Sequence, residues 1–360
     1  MRRGTAELRI GWPIKAVWSL APASLAALSL AVAPPPAARA ADGRSAAGLA
    51  KSLAIEESRT GPSSPHLLPL LDRLAGAQID DGALADAAAS RRRALRIALR
   101  SYGGQSPNAA LAMVSLAAVE LLRHRYNQAE PLLIAELPAL SAKFGDGGAA
   151  LAGPLAGLAR IALARGDLPG AKAWAARALA IAQRSRAAMS GEPWRVLAAI
   201  DAAEDRFDDG ERMLRAALAR DGARDPAGLE TARDLAQLAG VLLRAKRFDE
   251  ALPAIEQAAA IDQAHLSETH PLVADDFTDL GLIYAGLGRD DAAAAALGYA
   301  LALLDHASGQ QTPRVAYVEL ALAPVLRRLG AEDDAKAAFG DAKRILESAA
   351  DDEQKRERQL

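Results

Sequence analysis

From His270 to Asp305 the apolar positions change rhythm twice. Leu272, Leu280, Ile283, Tyr284 and Leu287 recur at helical spacing, Gly288-Arg289-Asp290-Asp291 interrupts them, and Ala292 to Leu304 resumes the pattern. The spacing predicts two amphipathic helices joined by a tight turn. A pair of helices this short cannot bury its own apolar face, so it must stack on others like itself. Copies of it are found along the chain by following one small residue, five positions after the turn begins. That residue falls at Ala87, Ala129, Ala171, Gly210, Ala251, Ala293 and Ala335, with steps of 42, 42, 39, 41, 42 and 42 residues. A period held this tightly predicts a solenoid.

Three further positions keep the same register. Thirteen residues before each landmark stands a leucine: Leu74, Leu116, Leu158, Leu197, Leu238, Leu280 and Leu322. The next residue is always small: Ala75, Ala117, Ala159, Ala198, Ala239, Gly281 and Ala323. Seven after the landmark come Ala94, Glu136, Ala178, Ala217, Ala258, Ala300 and Ala342, with Glu136 the exception. Small residues where helices cross let two backbones approach closely, and the leucine fills the space beside them.

At these positions the chain resembles the tetratricopeptide repeat family, with its leucine and glycine or alanine in the first helix and two alanines in the second. The 42-residue step and the linkers Tyr102 to Pro107 and His265 to Pro271 resemble the longer kinesin-light-chain type. The resemblance implies an all-α, right-handed superhelical solenoid of helix–turn–helix repeats. Seven repeats are expected over residues 64–349, a capping helix and linker over 41–63, and a charged tail over 350–360. Two departures stand out: aromatic residues are sparse, and a shortened first helix is expected around Pro193 to Glu204.

The N-terminus has a different character. Arg2, Arg3, Arg9 and Lys15 precede an apolar run from Ala16 to Ala33, closed by Pro34-Pro35-Pro36 and followed by the small-x-small pattern Ala38-Arg39-Ala40. That order predicts a secretory signal over residues 1–40, cut after Ala40, and a location in the periplasm or outside the cell. The alternative is an uncleaved membrane anchor over residues 16–33. Cleavage would remove five basic residues and one acidic one, moving the net charge from −2 to −6. This acidity argues against a nucleic-acid partner. With no cysteine in the chain, disulfides, thiolate catalysis and cysteine-ligated metals are excluded, so stability must come from packing.

Catalytic patterns are not apparent. His66, His124, His265, His270 and His306 lack metal-protease spacing, and His270-Pro271 reads as the start of a first helix. Gly145-Asp146-Gly147-Gly148 follows a helix, which disfavours a nucleotide loop. Asp290-Asp291 and Asp333-Asp334 sit where second helices begin and favour the N-terminal dipole. No cofactor and no metal site are expected.

The face opposite the conserved leucine carries the remaining signal. At 100° per residue, positions five and two before the leucine, and two, five and six after it, point away from it. In the resembling family that face lines the concave, ligand-binding surface. Here it collects Asp72 and Asp80 early, Arg160, Arg195, Arg233 and Arg244 in the middle copies, then Asp275 and Thr278, then Arg327 and Arg328. The expectation is a locally basic groove on an acidic protein, holding an acidic peptide or a carboxylate terminus. The function expected is that of an exported, non-enzymatic adaptor for another protein. The alternative is an envelope scaffold that binds an anionic polysaccharide through the same arginines.

Overall fold

The computed structural model describes residues 45–185, 191–267, 269–308 and 312–357, with side chains omitted at 306–308 and 349–357. The described residues are all-α, with fifteen α-helices and no strand. They fall into two compact units, one holding the described residues up to Val241 with Ala264–Ser267, the other Leu242–Gln263 and the described residues from 269 on. The expected signal over residues 1–40, and the alternative anchor within it, lie outside the described residues. No described helix is long and apolar enough to cross a membrane.

In the first unit α1 (Ala46–Thr60) precedes four helix pairs: α2 (Leu68–Asp80) with α3 (Leu84–Tyr102), α4 (Pro107–Leu122) with α5 (Tyr126–Phe144), α6 (Ala152–Ala164) with α7 (Leu168–Arg184), and α8 (Glu192–Ala203) with α9 (Phe207–Arg224). Helix α10 (Leu229–Arg244) follows and contains the boundary between the units. Leu49 and Leu53 of α1 are buried against Leu67, Leu71 and Leu74, so α1 covers the outer face of the first pair while Ile55 points outward. The second unit is built from α11 (Phe248–His265), α12 (Pro271–Gly286) paired with α13 (Asp290–Ser308), and α14 (Pro313–Arg328) paired with α15 (Glu332–Glu357). The charged C-terminal stretch continues α15 as far as Glu357.

Three of the first helices start at a capped proline. Ser106, His270 and Thr312 accept a hydrogen bond from a backbone N–H of the first turn, and a proline follows at once, where its missing N–H costs nothing. His270 therefore acts as a cap, through Nδ1 and the Leu272 N–H at 3.1 Å. The turn inside each pair is equally regular. Gly82, His124, Gly166, Asp205, Lys246, Gly288 and Gly330 all have positive φ, and each stands five residues before the landmark. Four of the seven are glycine, the residue that takes this conformation without a Cβ penalty.

The register governs the core. All seven landmarks and all seven small residues after the leucine are buried. Five of the leucines are buried, while Leu197 and Leu322 are only partly so. Gly281 shows why the small residue is needed, because a Cβ there would lie 2.6 Å from Leu297 Cγ and 3.3 Å from the Ala293 carbonyl. Helix α8 is short, at 12 residues against 16 for α4, α10, α12 and α14. Its N-terminus is set by Gly191, whose N–H donates to Asp221 Oδ2 at 2.7 Å and whose position has no room for a Cβ beside Ala217.

Candidate functional site

Helices α6, α8 and α10 are the first helices of three successive copies, and the structure brings Arg160, Arg195 and Arg233 together across them. They form one row of alternating charge. Arg160 Nη1 lies 3.2 Å from Glu192 Oε1, and Arg195 lies 3.0 Å from Glu192 Oε2. Arg195 Nη2 is 2.5 Å from Glu230 Oε2, and Arg233 is 2.8 Å from Glu230 Oε1. Behind this row Arg195 Nη1 also donates to Asp234 Oδ1 at 2.7 Å and to Asp221 Oδ2 at 3.3 Å.

Arg195 is therefore not part of an open basic wall. Its side chain is 2% exposed and it holds four carboxylates. Burial alone would lower its pKa, but Glu192, Glu230 and Asp234 raise it, so the guanidinium stays charged. Burial would likewise raise Glu192, yet Arg195, Arg160 and Arg233 hold it below the ordinary range. Asp234 is pushed up to about 6, first by burial and further by Asp221 and Glu230, against the pull of Arg195. The expected basic centre of the first unit is thus self-neutralised. The sequence signal for it was the Glu-x-x-Arg spacing of Glu192 with Arg195 and Glu230 with Arg233, which places each glutamate one helical turn before its arginine.

The remaining predicted residues separate. Arg244 is exposed near the end of α10. Arg328 ends α14 and forks onto Asp290 at the start of α13, with contacts of 2.7 to 3.0 Å. Thr278 is buried, and its hydroxyl donates to the Ala274 carbonyl at 2.7 Å, so it faces no groove. Asp275 is half-exposed and pairs with Arg314 at 3.2 Å.

Around Asp275 the second unit gathers carboxyl groups that sequence reasoning passed over. Asp279 stands one turn further along α12 and is pushed up to about 7, by burial first and then by Asp275. No cation pairs with Asp279 among the described residues. Asp276 is buried, with Oδ2 lacking any hydrogen-bond partner, and burial together with Asp262 raises it strongly. Their signal was the closely spaced Asp275, Asp276 and Asp279, of which only Asp275 was placed on the groove face. No group of histidine and acidic residues among the described residues has metal-holding geometry.

One buried carboxylate lies apart from both sets. Glu136, the lone departure from the alanine rule, is 1% exposed with both carboxyl oxygens unpartnered, and burial pushes it up to about 8.

Comparison with known proteins agrees with this architecture. Residues 234–306 match the tetratricopeptide repeat family. Among the solved structures with this fold are BtubC (BKLC) from P. vanneervenii and the Cut9-Hcn1 hetero-tetramer of APC/C. The first is 22% identical, covering 67% of this chain and 92% of that one at a TM-score of 0.50. The second is 15% identical, covering 77% of this chain and 52% of that one at 0.53. A comparison with curated proteins finds no relative by sequence. The protein is an all-α, tetratricopeptide-like solenoid.

Proposed function

We propose that this chain is an exported, non-enzymatic scaffold that binds another protein through the exposed faces of its first helices. The observation that carries the reading is the shared register of turn, leucine and small residue, which stacks the pairs and leaves positions such as Arg244, Tyr317 and Leu320 exposed on the opposite face of the first helices. Proteins of this fold typically bind other proteins or peptides without catalysing reactions. The 42-residue step supports the kinesin-light-chain type within it. Export rests on the basic, apolar and small-x-small order of residues 1–40, with the mature chain starting at Ala41 in the periplasm.

Binding of an anionic polysaccharide is the weaker reading, because Arg160, Arg195, Arg233 and Arg328 already carry carboxylate partners. Two measurements test the proposal together. N-terminal sequencing of the exported product should read from Ala41, whereas an intact Met1 start in the membrane fraction would show an anchor. Crosslinking in an envelope extract should recover a discrete protein partner; recovery of glycan alone would overturn the adaptor reading.

A further inference from the structure

The open face of the second unit has a composition of its own. Helices α12 and α14 lie side by side. On α12, Asp275 and Asp279 are one turn apart; on α14, Arg314, Tyr317 and Leu320 follow one another at single-turn spacing. Arg314 closes on Asp275 at 3.2 Å. Tyr317 stays 57% exposed and Leu320 37%, a pair of large side chains only partly covered by the unit. The two rows are neighbours: burial raises the Tyr317 phenol, and the field of Asp279 raises it further.

We propose that this face docks an extended basic segment of a partner protein, placing a lysine or arginine on Asp279 and against the Tyr317 ring, with an apolar side chain on Leu320. Charge complementarity selects that occupant. An acidic segment would meet Asp275 and Asp279, and a purely apolar one would bury the Asp279 carboxylate with no counter-charge, which is costly. A cation supplies the missing partner and gains a second contact from the aromatic face. One turn of α14 separates Tyr317 from Leu320, about 5 Å along the axis. Alternate side chains of an extended segment, about 6.6 Å apart, can span that interval.

This inference rests on the scaffold reading and sets the sign of the partner's charge opposite to the acidic one expected of an arginine groove. The test is a random peptide library displayed on phage and panned against the full chain. Enriched peptides should carry lysine or arginine with an apolar residue two positions away. A synthetic peptide of the enriched sequence should lose at least fivefold in affinity on Asp279→Asn and on Tyr317→Ala. It should lose less than twofold on Asp333→Asn, a fully exposed aspartate of α15. Circular dichroism checks that each variant is folded. Enrichment of acidic peptides, or of peptides indifferent to both Asp279→Asn and Tyr317→Ala, overturns this face while leaving the scaffold reading intact. No enrichment at all overturns both.

Discussion

Arg160, Glu192, Arg195, Glu230 and Arg233 alternate in sign across three helices of the first unit, whereas Asp275, Asp276 and Asp279 of the second crowd three carboxyl groups onto one helix. The backbone register is the same in both. What differs is whether the chain supplies its own counter-charges. In the first unit both carboxylates of the row touch guanidinium groups, and Arg195 serves these two together with Asp221 and Asp234 behind them. In the second Arg314 serves Asp275, and Asp279 waits without a cation. A repeat fold can therefore spend the same helix positions on holding itself together or on leaving charge for a ligand, and the pairing decides which.

The largest way to break the comparison is Arg195→Met. Removing the cation from a buried network strands its partners, so urea unfolding should show a loss of about 3–5 kcal/mol. Adding Asp221→Asn and Asp234→Asn should return part of it. A neutral Arg195→Met would mean that the row contributes nothing to the fold of the first unit.

Glu136 sharpens the contrast, being a carboxylate in the first unit that no cation reaches. Its folded pKa, pushed up to about 8 from 4.5, means that its stabilising contribution is complete below 4.5 and is lost as pH rises through 8. Glu136→Ala, which restores the residue found at the six equivalent positions, should be indistinguishable or mildly altered at pH 4.5. By pH 8.5 it should be more stable than the parent by about 2–4 kcal/mol, since each tenfold change in a proton-binding equilibrium is worth roughly 1.4 kcal/mol. Chemical denaturation across that range reads the gap directly.

Asp279→Asn should behave in the same sense on a smaller scale. Asp279 is partly exposed, so solvent screens it, and a gain of about 1–2 kcal/mol is expected above pH 7. The gap should close as pH falls toward 4, since a carboxyl with a raised folded pKa loses its contribution as pH rises through about 7. Arg195→Met and Asp279→Asn thus change stability in opposite directions. Lys246→Gly is the smallest change: it relieves a left-handed backbone at a long side chain, against the entropy of an added glycine, for a net gain below about 1 kcal/mol in thermal unfolding.

Much of the fold was legible because packing repeats. The leucine, the two small positions and the turn recur in one register, and helices that cross closely tolerate little else there, as Gly281 against Leu297 shows. The departure at Glu136 was legible too, although its buried, unpartnered state was not. The three turns made by His124, Asp205 and Lys246 carry no glycine to announce them; only their place in the register does.

The candidate site was legible in direction and not in pairing. Helical geometry puts Arg160, Arg195 and Arg233 on one side, and ion pairs through Glu192 and Glu230 link the three. Whether an arginine on that side is open depends on residues of neighbouring copies: Asp221 and Asp234 reach Arg195 from α9 and α10, across 26 and 39 residues of chain. Thr278 failed for a local reason, because its hydroxyl turned back onto its own helix. Asp279 was missed because it sits one position before the conserved leucine, beside the groove-facing stripe rather than on it.

The central claim is that the charged row of the first unit supplies its own counter-charges, whereas Asp279 of the second has none among the described residues. Carboxyl carbon-13 NMR of the full chain, labelled at aspartate and titrated with and without Asp279→Asn, tests it most directly. The account predicts a resonance titrating near pH 7 in the parent and absent from the variant. If the resonance removed by Asp279→Asn titrates instead in the ordinary aspartate range near 4, the carboxylate is already compensated and the contrast between the two units falls.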